Sequence, residues 1–279
     1  MIGRLRVVFL VGLGMTNVVL LLAIVAGLAA PSIQGRETLE AAERKPLILL
    51  DEGTSLPLAP GPWALNGLNP TFVLYQDGLV IFRKGRDSSE FFSVQLTPEE
   101  TNTLLEGLIV GDFLKLKENY YTTNLPDQPY SVINYWQDHA MKRVAVFGPI
   151  RKSAEDRNKT PQAFLRIFDR LTSFNHETAQ LWEPEKLEIH VIPYTDSKGE
   201  PVAWPKDWPD LNDERTKNTT GLIGRGESYN LYLSGDHRDE LEQLLSGLKE
   251  KQAVLMNERQ WYVSPWRYCL PNEEAWRTR

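Results

Sequence analysis

The stretch TFVLYQDGLVIFRK, residues 71–84, decides how this chain folds. Two runs rich in valine, isoleucine, leucine and phenylalanine flank Asp77-Gly78. Branched and aromatic side chains suit a pleated strand, and Asp-Gly suits the short turn whose central residues need positive φ. The stretch reads as a β-hairpin. FFSVQL, residues 91–96, follows as a third strand, and TPEETNTLLEGL, residues 97–108, opens a helix. Thr97 stands at the cap and Pro98 at the first helical position, where no N–H is required. Glu100 completes a capping box. Leu104, Leu105 and Leu108 then share one face, which should pack on the sheet.

Further along, Tyr130–Trp136 and Lys142–Phe147 alternate as strands around a turn at residues 138–140. Thr160-Pro161 opens a second helix with Phe164, Leu165, Phe168 and Leu171 inward. Leu187–Ile192 and Tyr229–Leu233 are strands. Asp236 is placed to cap a third helix with Leu241, Leu244, Leu245 and Leu248 inward. Val254–Met256 and Trp261–Val263 close the pattern. LLEGL at 104–108 and LLSGL at 244–248 match at four of five positions, each after a strand, which hints at a repeated unit. Hairpins separated by helices predict an α+β fold: mainly antiparallel sheet with about three helices packed on one face, preceded by one N-terminal transmembrane or signal helix. The expected organisation is an anchor or signal over 1–30 and a stem with an irregular, Pro/Gly-rich lead-in over 31–70. Within that lead-in, Leu47–Leu50 can form a short strand. The globular domain spans 71–279, either as one body or as subdomains 71–175 and 185–279.

The N-terminus carries the most direct functional signal. Arg4 and Arg6 precede an uncharged run, Val7–Ala30. As a helix it would span about 36 Å, against a hydrocarbon core of about 30 Å. It is longer than the apolar core of a signal peptide, about 7–15 residues, although Gly27-Leu28-Ala29 would suit cleavage. Arg36, Arg44 and Lys45 nearly balance Arg4 and Arg6, so the positive-inside rule discriminates weakly. The expected partner of residues 7–30 is a lipid bilayer, with the N-terminus inside and the body extracytoplasmic. If the leader is cleaved, the body is secreted.

The chain has 31 basic and 37 acidic residues, a net charge of −6, and Arg4 and Arg6 lie in the leader. The body is acidic, which disfavours a nucleic-acid partner because phosphate binding needs a basic surface. A single cysteine, Cys269, excludes an internal disulfide and reads as a small buried group. The four histidines, His139, His176, His190 and His237, have no metal-ligand spacing. No G-x-S-x-G elbow or phosphate loop occurs, and GLIGRG, residues 221–226, precedes a strand rather than opening a helix. Neither a catalytic residue, nor a metal site, nor a cofactor is assigned. The pattern favours a non-enzymatic interaction or envelope-binding domain.

One segment resists this scheme. PVAWPKDWPD, residues 201–210, holds two of the eight tryptophans, each followed by proline, in a stretch without periodicity. Such a long irregular segment is either functional or tied down by its own side chains. Buried indoles would clasp the loop to the core, which is the commoner fate of large aromatics. Exposed indoles would instead make a glycan- or peptide-binding platform, with Trp204, Trp208, Lys206, Asp207 and Asp210 as the ligand-binding candidates; a glycan-cleaving variant would draw on Asp207 or Asp210. The partner would be another envelope protein or a glycan. Tyr120, Tyr121 and Tyr130 are expected to pack inward by the same reasoning.

Overall fold

The computed structural model describes residues 44–54, 70–85, 90–108, 110–137, 140–220, 226–264 and 266–276. The leader, residues 31–43 of the stem, most of the Pro/Gly-rich lead-in, the turn at 138–139 with His139, and most of GLIGRG lie outside the described residues. Residues 44–279 form one compact unit.

The hairpin at Asp77-Gly78 is present. Strand β2 (Phe72–Tyr75) pairs antiparallel with β3 (Leu79–Arg83). Gly78 takes φ +85°, its N–H donates to the Tyr75 carbonyl at 3.0 Å, and a Cβ there would lie 2.6 Å from the Leu96 carbonyl oxygen. Only glycine meets both demands. β4 (Phe91–Gln95) adds to β3. Helix α1 (Pro98–Gly107) begins with the full capping box: Thr97 Oγ1 accepts from the Glu100 N–H, and Glu100 Oε2 accepts from the Thr97 N–H.

The rest corrects the expected fold class. Instead of a sheet with about three helices on one face, there are two mixed sheets of eight and seven strands. Sheet A runs β5 (Asn119–Tyr121), β7 (Ala140–Phe147), β6 (Pro129–Gln137), β1 (Pro46–Thr54), β2, β3, β4 and β8 (Gln180–Leu181). Sheet B runs β10 (Val202–Ala203), β13 (Val254–Met256), β14 (Arg259–Val263), β9 (Lys186–Pro193), β12 (Tyr229–Ser234) and β11 (Lys217–Asn218), with β15 (Arg267–Tyr268) also on β9. The pairs β5–β7 and β10–β13 are parallel. Six helices occur among the described residues: α1, α2 (Val110–Phe113), α3 (Ala154–Lys159), α4 (Gln162–Thr172), α5 (Arg238–Gly247) and α6 (Glu273–Trp276). The short strand expected at Leu47–Leu50 is a nine-residue strand at the centre of sheet A.

Burial explains the difference. On one face of sheet A, Ile48, Leu50, Phe72, Leu74, Val80 and Phe82 share a core with Leu104, Phe113, Phe164 and Phe168 of α1, α2 and α4 and with Leu108, the C-cap of α1. On the other face, Leu49, Val73, Tyr75 and Ile81 share a second core with Leu187, Ile189, Val191, Leu231, Leu233 and Trp261 of sheet B. Leu241 of α5 belongs to this second core, so the helices do not occupy a single face. Sheet A is thus a middle layer, and all four residues of β2 are buried. Asp236 does not cap α5. It lies in a 3₁₀ turn, Gly235–His237, and Leu244, Leu245 and Leu248 are only partly buried.

Candidate functional site

The Trp-Pro loop leaves the edge of sheet B. β10 pairs with β13, and the Trp204 N–H continues that ladder by donating to the Leu255 carbonyl at 2.9 Å. Proline at 205 keeps Trp204 extended, so its indole turns into the second core. There its Nε1–H donates to the Pro209 carbonyl at 3.0 Å, closing the loop on itself. Trp208 meets Trp204 edge to face, with centroids 5.2 Å apart at 83°, a favoured quadrupolar geometry. Each indole is 6% exposed. Both are core residues, and neither ring face is open for stacking.

The remaining candidates separate. Asp210 is a turn residue: its carboxylate accepts from Asn257 Nδ2 at 2.9 Å and from the Asn212 N–H at 2.8 Å. Asn257 and Glu258, at φ +49° and +61°, form the tight turn between β13 and β14, so Asp210 ties loop to hairpin. In the same acidic series, Asp213 accepts a bidentate pair from Arg215, whose hydrogen bonds hold the carboxyl down at about 2. Lys206 is exposed. Trp208 and Asp207 do come together, with Pro205, at a shallow groove of about 340 Å³ whose far wall is Glu240, Gln243 and Leu244 of α5. The helical spacing i, i+3, i+4 is the signal that places these three on one face. Sequence reading could define that face but not what stands opposite it.

The groove's polar groups are unequal. Glu240 Oε2 lies 2.8 Å from His237 Nδ1, and the His237 ring sits 5.5 Å from Trp208. The Asp207 carboxylate, the Gln243 amide and the Trp208 indole N–H have no hydrogen-bond partner among the described residues. The indole N–H is also absent from the buried polar atoms that lack a partner, so it retains access to solvent.

Elsewhere, charge is consumed by structure. Glu52, 4% exposed, accepts from Arg151 Nε at 2.7 Å, Arg151 Nη2 at 2.6 Å and Thr71 Oγ1 at 2.9 Å, while the guanidinium lies over Phe168. Glu52 and Arg151 line a second cavity of about 290 Å³ with Tyr130, Ser131, Gly148 and Lys152. In sheet B, Arg267 donates to Glu273 at 2.8 Å and to Glu188 at 2.5 Å. Asn230 joins Glu188 to His190, donating to the first and lying 2.8 Å from the second. Burial pushes the adjacent Cys269 thiol up to about 12, so it is a poor nucleophile.

Tyr121 departs from the inward packing expected of the tyrosines. It is 70% exposed and stacks on Phe147 at 4.8 Å. Among the described residues, no group of three or more His, Cys, Asp or Glu side chains could hold a metal ion. None of the described helices is long and apolar enough to cross a membrane. Comparison with protein-family models, curated proteins and solved structures finds no match for the chain.

Proposed function

We propose that this chain is a single-pass, membrane-anchored protein whose body stands on the extracytoplasmic side and binds a partner without transforming it chemically. One observation carries the anchoring: the uncharged run Val7–Ala30 behind Arg4 and Arg6, long enough to cross a bilayer. The binding role draws support from the described body. The charges of Glu52, Glu188, Arg267 and Glu273 are spent on internal ion pairs, whereas the groove beside Trp208 keeps polar groups without partners. Buried, paired charges serve architecture, and unpaired polar groups in a concavity are what a ligand can use.

The test is fractionation of the full-length chain. It should stay with membranes through alkaline carbonate, dissolve only with detergent, and have its body cut by protease added from the extracytoplasmic side. Deleting residues 1–30 should release it. An intact mass that still includes residues 1–30, found in the aqueous fraction without detergent, would overturn the anchor. A mature mass beginning near Ala30 would replace the anchored protein with a secreted one.

A further inference from the structure

We infer that the groove between the Trp-Pro loop and α5 takes an extended peptide segment carrying a basic side chain. This rests on the binding role proposed above and specifies its ligand.

Three features converge. First, of the six lining residues, Asp207 and Glu240 are acidic and none is basic. The nearby arginine of α5, Arg238, is turned away: it pairs with Glu242 and lies over the Tyr268 ring. The lining itself therefore presents net negative charge to a lysine or arginine head, with Lys206 and His237 at its margin. Second, Pro205, Trp208 and Leu244 supply an apolar wall, which suits the methylene stem of such a side chain. Third, Trp208 is more than nine-tenths buried, lines the groove, and keeps an indole N–H that donates to no described residue. That N–H reaches solvent, so it is free to donate to a ligand. A backbone carbonyl can take the place of water there, and the Gln243 amide can pair with the next peptide unit.

A sugar explains fewer of these features. Sugar recognition by tryptophan uses an open ring face, and the Trp208 ring is covered by Trp204 and His237. An anionic ligand is disfavoured by both carboxylates.

The experiment uses the full-length chain labelled with 5-fluorotryptophan in non-ionic micelles, with the Trp208 fluorine resonance assigned by Trp208→Phe. The probes are the capped tripeptides acetyl-Gly-Arg-Gly-amide and acetyl-Gly-Lys-Gly-amide, their glutamate counterpart, and chitotetraose. The basic peptides should shift the Trp208 resonance saturably, with a Kd on the order of millimolar for so small a contact. Asp207→Asn combined with Gln243→Ala should weaken them about tenfold or more, and raised salt should weaken them too. Both variant sites are exposed, and an unchanged fluorine spectrum of the free variant confirms its fold. No shift with the basic peptides, an equal shift with the glutamate peptide, a shift with chitotetraose alone, or full binding by the double variant would each overturn the inference. None of these outcomes bears on the fractionation result, so the two proposals fail separately.

Discussion

Replacing Trp204 by alanine tests whether the Trp-Pro loop is a clasp on the core. The side chain is 94% covered, since 6% is exposed. A tryptophan buries about 150–250 Å², which at about 25 cal/mol per Å² corresponds to about 4–6 kcal/mol. Measured Trp→Ala losses in cores, about 3–5 kcal/mol, agree. The substitution also removes the Nε1–H bond to the Pro209 carbonyl, about 0.5–1.5 kcal/mol if that oxygen finds water. Trp208→Ala loses comparable area but no such bond, so Trp204→Ala should be the more damaging of the two. Their edge-to-face contact should appear in a double-mutant cycle as coupling of about 0.5–1.5 kcal/mol. The losses approach the whole stability of a domain, about 5–15 kcal/mol. Urea unfolding of the full-length chain in non-ionic micelles, read by pulse proteolysis, gives all three values without relying on indole fluorescence. If both single variants lose less than about 1 kcal/mol, or if Trp208→Ala is the worse, the clasp is refuted.

Other sites give independent tests. Arg267→Met leaves Glu188 and Glu273 facing each other without their cation and should cost about 3–5 kcal/mol; adding Glu188→Gln and Glu273→Gln should recover most of it, and no recovery would mean the arginine acts by packing. Gly78→Ala must place a Cβ 2.6 Å from a carbonyl oxygen at φ +85°, so the unfolding free energy from urea titration should drop by more than the few tenths of a kcal/mol usual at surfaces. Cys269, raised to about 12 chiefly by burial, should resist Ellman's reagent at pH 8 in the native chain and react fully once unfolded; rapid native labelling would contradict its placement. For Asp213 the folded value of about 2 lies below the ordinary 3.8. Its stabilisation is therefore complete above 3.8 and lost as pH falls through about 2. The stability gap between wild type and Asp213→Asn should shrink from pH 5 to pH 2, and a constant gap would disprove the linkage.

What the sequence revealed depends on how local the determining interaction is. The hairpin at Asp77-Gly78 and the capping box at Thr97–Glu100 are settled within a few residues, and both are present. Helix α4 announced itself through Phe164, Leu165, Phe168 and Leu171, all buried. The layer order was not legible. Alternation along a strand tells which face is buried only when one face meets water, and β2 is buried on both. Its FVLY run therefore carried no sign that sheet B lay across it. Strands such as β8, β10, β11 and β15 are two residues long, too short for any period to show, and they exist because a neighbour supplies the ladder.

The groove was half legible for the same reason. Asp207 and Trp208 stand in a stretch that singles itself out, but Glu240, Gln243 and Leu244 become part of it only when α5 is laid against the loop. The aromatic residues make the point most sharply. Tyr121 and Trp204 are both large rings near sheet edges, yet one is 70% exposed and the other 6%. Tyr121 lies on β5, the outermost strand of sheet A, with Phe147 against one face. Trp204 follows β10, the outermost strand of sheet B, but turns into the core that the two sheets share. Residue type set the area each ring could bury; the layer beneath it decided whether that area was used. An exposed ring is therefore informative only after the layers are known, which is why the tryptophans drew attention in the sequence and the groove beside them emerged only in three dimensions.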